Sequence, residues 1–222
     1  DLMGLHDVET MRRIGRRHRM LRRDVLLWGE GWDLYRGGSL VPASQANIRE
    51  LPGYGMFNDA FRDGVKGSVF DAPGKGWVHD GSKAESVKFG LVGAVRHAGV
   101  RTRKVEGTAN PKPWGRSAAA NLAYVEVHDN LTLHDKLLLV EPGMDESRYA
   151  RLQRLALSLV LGAQGTVVLH AGSEFLRSKE VPAEWLAAGG IDKCVATPDG
   201  RRSFCHDSYK AGRLLNGLDW TR

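Results

Sequence analysis

The chain has 222 residues, 42% hydrophobic and 26% charged, with a formal net charge of +6. That is the composition of a globular protein rather than a disordered one, and no apolar run approaches the roughly 18–20 residues a membrane helix needs. No signal peptide is visible and the first residue is Asp1, not Met, so the sequence leaves the compartment open.

Asp7 is placed to cap a helix running to about residue 23, with Glu9 in the first turn where the helix dipole favours a carboxylate. Much of the positive charge falls here, on Arg12, Arg13, Arg16, Arg17, Arg19, Arg22 and Arg23. Val8, Met11, Ile14 and Leu21 recur among them at helical spacing, which predicts one buried stripe and a solvated arginine face. Neither zinc-finger spacing, nor aromatic residues interleaved with basic ones, nor a glycine clamp loop accompanies them, so no nucleic-acid partner is expected.

Val25-Leu26-Leu27-Trp28 is a short continuous apolar run, the pattern of a strand buried on both faces, and it ends at Gly29-Glu30. Gly55-Met56-Phe57 is a weaker strand ending at Asn58-Asp59. Residues 70–116 read as a long loop with one short helix near 83–95. Leu122 to Val127 is the next strand, ending at His128-Asp129. Glu146–Leu161 is a strong helix stopped by Gly162, with Tyr149, Leu152, Leu155 or Ala156, and Leu159 on its inner side. Thr166–Leu169 is the last clear strand, ending at His170, and residues 179–206 look irregular, like an insertion. Cys194 and Cys205 are the two cysteines; a disulfide across a short loop and two free thiols are both open.

Strands alternating with helices predict an α/β fold with a parallel sheet. Three of the strands end in acids: Glu30, Asp59 and Asp129. In β/α barrels the active site is assembled at the C-terminal ends of the strands, so polar residues gather there. The ordinary alternative, an aspartate capping the following helix, fits Asp59 better than Glu30, because Glu is a poor cap. Glycosidic bond cleavage is one chemistry such acids serve: a protonated carboxyl assists the leaving oxygen while an ionised one attacks or activates water. A metal held by His128, Asp129 and His170 would use the same residue types, but no HExxH or comparable spacing is present and none is expected.

The ordered motifs Asp1-Leu-Met-Gly-Leu-His-Asp7, Gly29-Glu-Gly-Trp-Asp33, Phe57-Asn-Asp-Ala-Phe-Arg-Asp63 and Tyr124-Val-Glu-Val-His-Asp-Asn-Leu-Thr-Leu133 resemble type I pullulanases of the α-amylase superfamily, glycoside hydrolase family 13. Leu169-His-Ala-Gly-Ser-Glu-Phe-Leu-Arg177 and the ending Ser208-Tyr-Lys…Leu218-Asp-Trp220 continue the resemblance over nearly the whole chain. It implies a retaining hydrolase that cleaves α-1,6-glucosidic bonds in pullulan and branched dextrins, with a branched α-glucan as substrate; the short apolar runs, independently, lead to an expectation of no membrane partner. Asp1 takes the place of the nucleophile, Glu30 of the general acid/base and Asp129 of the transition-state stabiliser. The substrate-binding residues carried over are His128, Trp32, Asp33 and Asn130; Trp32 offers a flat ring to a sugar face, or packs as an ordinary loop tryptophan. Carboxyl oxygens of Asp1 and Glu30 are expected about 5–6 Å apart.

The resemblance further implies that residues 1–222 form one partial catalytic domain, the C-terminal part of a (β/α)8 TIM barrel from the end of strand four through strand eight, with the insertion at about 178–206. The N-terminal strands are missing, as is the arginine expected two positions before the nucleophile, and His134 stands where tryptophan is common. No cofactor is expected, with structural calcium left open for a longer protein. The isolated chain is expected to be inactive and aggregation-prone, a non-catalytic carbohydrate-binding remnant being the alternative; a limit-dextrin or glycogen-debranching enzyme is the rival within the superfamily.

Overall fold

The computed structural model describes residues 2–22, 24–106, 113–189, 191 and 193–221. The helices among them are α1 Val8–Leu21, α2 Asp59–Lys66, α3 Trp77–Asp80, α4 Ala84–Leu91, α5 Leu133–Val140, α6 Glu146–Leu161, α7 Ala183–Ala187 and α8 Arg213–Asn216. The strands are β1 Leu27–Gly29, β2 Tyr54–Phe57, β3 Asn121–Ala123, β4 Thr166–Val167, β5 Cys194–Ala196 and β6 Ser203–Cys205. The fold is α/β. The chain divides into two compact units: one gathers residues up to Phe61, Glu85–Tyr124 and Gly162–Val168, the other Arg62–Ala84, Val125–Leu161 and everything from Leu169 onward.

The first unit holds a four-stranded parallel sheet in the order β1-β2-β3-β4. Parallel neighbours need a crossover between each pair, and the long segments between the strands supply them. A polar string runs beneath the ladder. Asn58 Nδ2 donates to Asn121 Oδ1 at 2.8 Å, and Asn121 Nδ2 donates to the Gln164 carbonyl at 2.8 Å. Asn58 Oδ1 accepts the Phe61 amide at 3.0 Å, so Asn58 rather than Asp59 caps α2. Asp59 instead accepts from the Gln45 side-chain amide at 3.0 Å, and the same nitrogen bonds the Phe57 carbonyl at 2.9 Å.

Asp7 caps α1 as its sequence position suggests, its carboxylate accepting the Thr10 amide. The buried face of α1 is narrower than the hydrophobic spacing implies. It comprises Val8, Met11 and Gly15, while Ile14 and Leu21 are exposed. Gly15 lets the Tyr54 ring lie against the helix: a Cβ there would meet Tyr54 Cε2 at 2.9 Å, and the Tyr54 hydroxyl donates to the Met11 carbonyl at 2.8 Å. The arginines face outward, Arg12 pairing with Glu50 at 2.5 Å and Arg16 with Glu9 at 2.9 Å.

Other expectations are corrected. β1 is an edge strand among the described residues, and lacking a neighbour on one side it leaves Leu26 72% and Trp28 48% exposed instead of buried. β3 stops at Ala123, four residues before the apolar run ends, because the chain beyond leaves the ladder while staying buried. The segment from 70 to 116 holds α3 as well as α4, and residues 107–112 lie outside the described residues.

In the second unit α6 has the expected bounds, but its buried positions are Tyr149, Gln153, Ala156 and Val160, and Leu155 is exposed. Gln153 is inside because its side-chain amide donates to the Ser173 carbonyl at 2.9 Å. The helix α5, capped by Thr132, has no counterpart in the hydrophobic spacing. Residues 179–206 are not irregular: they contain α7 and the antiparallel pair β5-β6.

Asn58→Ala removes the α2 cap and strands a buried Asn121 oxygen, so urea unfolding should show a loss of about 2–4 kcal/mol. A loss below about 0.5 kcal/mol would mean the polar string carries no weight.

Candidate functional site

Glu30 directly follows β1, on a segment held by close backbone packing. Its carboxylate accepts the Leu2 amide at 2.8 Å and its carbonyl accepts the Gly4 amide at 2.9 Å. The next carbonyl, of Gly31, accepts the Gln45 amide at 2.8 Å. Two glycines make this approach possible. A Cβ on Gly4 would sit 1.7 Å from the Trp32 carbonyl oxygen, and one on Gly31 would sit 2.3 Å from the Met56 sulfur. Leu2 is left-handed (φ 42°), a conformation that costs a leucine energy and that its bond to Glu30 helps to offset. Trp32 is half-buried and Asp33 exposed, so both continue outward from Glu30.

An aromatic row across the same sheet is absent from the sequence expectations. The rings of Trp28 and Phe57 meet edge-on at 5.3 Å, and those of Phe57 and Tyr124 at 4.8 Å. Trp28 is thus the half-exposed end of an otherwise buried stack. Asp1 lies outside the described residues, and so does the expected separation of its carboxyl from that of Glu30.

His128, Asp129 and Asn130 share one loop of the second unit. His128 Nε2 and Asp129 Oδ1 are 3.5 Å apart, with side chains 55% and 48% exposed. Asn130 turns the chain through the left-handed region at φ 63°, which asparagine tolerates better than most residues. The backbone of this loop is fastened from beneath by buried charged side chains. Lys66 Nζ donates to the Leu131 carbonyl at 2.9 Å, and Lys179 Nζ to the His128 carbonyl at 2.9 Å. Glu126 closes the loop on itself by accepting the Leu133 amide at 2.5 Å.

Burial governs the titration of these groups. It pushes the Lys66 ammonium down to about 7, against the pull of Glu126, and pushes the Glu126 carboxyl up. Ser173 Oγ donates to the Glu126 carboxylate and also lies 2.6 Å from the His170 carbonyl. Asp135, held by Ser178 Oγ at 2.5 Å and the Lys179 amide at 2.8 Å, is raised to about 6 by burial. His170 is lowered to about 4 by burial and by Arg177. Among the described residues no group of three or more His, Cys, Asp and Glu is placed to hold a metal ion. Nor is any helix among them long and apolar enough to cross a membrane.

No family model matches the chain. Over its whole length it is 33% identical to the pullulanase of Bacillus subtilis (strain 168), across 227 residues and 26% of that protein. A pullulanase from Paenibacillus barengoltzii, solved in complex with maltohexaose and α-cyclodextrin, is 35% identical and superposes with a TM-score of 0.76, over 100% of this chain and 29% of that one. The type I pullulanase of Bacillus subtilis str. 168, solved with maltose, is 31% identical with a TM-score of 0.78, over 100% of this chain and 26% of that one. The chain therefore spans about a quarter of the length of these relatives.

Gly4→Ala must displace the Trp32 carbonyl, so tryptophan fluorescence should shift and stability should fall by about 2 kcal/mol or more. The Lys66 lowering has its own signature. Between about 7 and its ordinary value of 10.5 the unfolded chain binds a proton that the folded chain does not, so this group's contribution to stability rises with pH across that window. Urea midpoints recorded from neutral to alkaline pH should rise less steeply in Lys66→Met, the gap to the parent widening as pH increases. Parallel slopes would show that Lys66 does not titrate there.

Proposed function

We propose, because the chain is related along its whole length to pullulanase-type glycoside hydrolases, that it forms the catalytic part of an enzyme hydrolysing α-1,6-glucosidic bonds in branched glucans. The full-length similarity to the Bacillus subtilis protein carries this reading. The parallel sheet supports it, since consecutive strands lying side by side is the arrangement of staves in a (β/α)8 barrel, here those from strand five onward. The segment at about 178–206, with its helix and hairpin, is then an insertion on the barrel.

The reaction is a retaining double displacement. Glu30, fixed by backbone bonds yet open enough to exchange protons, gives a proton to the leaving glucosyl oxygen. Asp1 attacks the anomeric carbon and forms the covalent glycosyl intermediate. Glu30, now a carboxylate, takes a proton from water, which attacks the same carbon and releases Asp1. Asp129 stabilises the positive charge that develops on the ring, and His128 and Asn130 bind the hydroxyls of the reacting sugar. Trp32 and Asp33 contact the acceptor side. The loop at 126–133 suits this task because its backbone is held by Lys66, Lys179 and Glu126 while the side chains of His128 and Asp129 stay accessible.

The intact protein should release maltotriose from pullulan, and Glu30→Gln should lower kcat by about 10³-fold or more. Faster turnover of glycogen than of pullulan would move the assignment to a glycogen-debranching activity. Maltotriose binding by calorimetry with no turnover, and no effect of Glu30→Gln, would favour a carbohydrate-binding remnant instead.

A further inference from the structure

The hairpin of the second unit places two thiols side by side. β5 and β6 are antiparallel in a register that sets Cys194 opposite Cys205, Val195 opposite Phe204 and Ala196 opposite Ser203. The hydrogen bonds fix which pairs are which. His206 donates to the Lys193 carbonyl at 3.0 Å and Thr197 to the Arg202 carbonyl at 2.9 Å, so 193/206 and 197/202 are hydrogen-bonded pairs. Pair types alternate along an antiparallel ladder, which makes 195/204 hydrogen-bonded and 194/205 a non-hydrogen-bonded pair. The Cys205 amide agrees: it points away from β5 and donates to the Lys179 carbonyl at 2.9 Å.

In a non-hydrogen-bonded pair the Cα atoms approach to about 4.5 Å and the side chains lean toward each other on one face. That spacing falls at the short end of the range a disulfide accepts, about 4.4–6.8 Å. Both sulfurs also share one environment. Cys205 belongs to a small apolar cluster with Val181 and Leu215, and Cys194 packs against the same cluster beside Ile191 and Trp185. Both residues are present as thiols. Cys194 is half-buried and Cys205 fully buried, so a reagent reaches the first before the second.

We propose that Cys194 and Cys205 form a reversible dithiol site that closes to a cross-strand disulfide on reaction with a small-molecule disulfide such as oxidised glutathione. The Cys194 thiolate attacks one sulfur of the oxidant, forming a mixed disulfide and expelling one glutathione thiolate. The Cys205 thiolate then attacks the Cys194 sulfur and expels the second. Two protein thiols lose two electrons and two protons, and one glutathione disulfide becomes two glutathione thiols. Half-burial of Cys194 leaves the bond open to attack by reduced glutathione, which suits a reversible modification better than a permanent staple. Its mechanical effect is local: β6 is tied to β5, and through the Cys205 amide to the 179–181 segment.

The test is a redox titration of the folded, intact protein with oxidised glutathione, followed by acid quench and tryptic digestion without reductant. Trypsin cuts after Lys193, Arg201, Arg202 and Lys210, so closure links the peptide 194–201 to the peptide 203–210. The expected result is that linked species, a fall from two titratable thiols to none, and full recovery with excess reduced glutathione. Amide exchange at Thr197 and His206 should slow by about tenfold or more on oxidation. Cys205→Ser, which cannot close the ring, should instead retain one glutathione on Cys194. Stable glutathione adducts on the parent protein, Cys194 linked between two copies, or two unreacted thiols would each overturn the proposal.

Discussion

The loop from Glu126 to Leu133 depends on a buried carboxyl reaching forward to the backbone of its own exit. Glu126 accepts the Leu133 amide, and this closure sets where α5 begins. Between those two residues the chain makes no ladder contact, so its carbonyls need other partners. An unsatisfied buried carbonyl costs on the order of 1–3 kcal/mol, and two lysines reach in to prevent that cost at His128 and Leu131. Burying an ammonium is itself expensive, which is why Lys66 gives up much of its basicity. The arrangement favours position over stability. Charged groups bring long reach and strong directional hydrogen bonds, and here they hold the backbone of the loop that carries His128 and Asp129.

The unit carrying Glu30 solves the equivalent problem without a buried lysine. Its strand end is held by the amides of Leu2, Gly4 and Gln45, and the approach is close enough that a Cβ on Gly4 would run into the Trp32 carbonyl and one on Gly31 into the Met56 side chain. Beneath it the Asn58–Asn121–Gln164 string ties successive strand ends together with neutral amides. Neutral amides lose little by burial when all their donors are used, and they do not respond to pH. The Asn58–Asn121–Gln164 string is therefore indifferent to acidity, whereas the loop carrying Asp129 rests on Lys66, lowered to about 7, with Asp135, raised to about 6, holding the Lys179 backbone.

This contrast also explains what was legible in the sequence. α6 had the right bounds because its caps and length are local properties, and Asp7 was recognisable as a cap for the same reason. The inner faces of α1 and α6 were misread because Gly15 and Gln153 are buried through partners distant in sequence, Tyr54 and Ser173. Glu30, His128 and Asp129 stood out through their motifs. Lys66, Lys179 and Glu126, which hold the loop, gave no signal: a lysine at a helix end reads as solvent-facing until the carbonyl it meets is known. The hairpin at 194–205 was missed because its strands are three residues each, too short for alternation to register.

A general asymmetry follows from where the charges lie. Among the described residues of the proposed site, Glu30, Asp129 and Asn130 are only partly buried. Residues that position them are buried, multiply bonded and costly to alter, because removing one partner leaves another unsatisfied. Lys179 shows the two roles meeting in one side chain. Its amide is held by Asp135, its carbonyl accepts from Cys205, and its ammonium fixes His128. Strain introduced at the hairpin therefore has a short covalent and hydrogen-bonded route, through Lys179, to the backbone of the Asp129 loop.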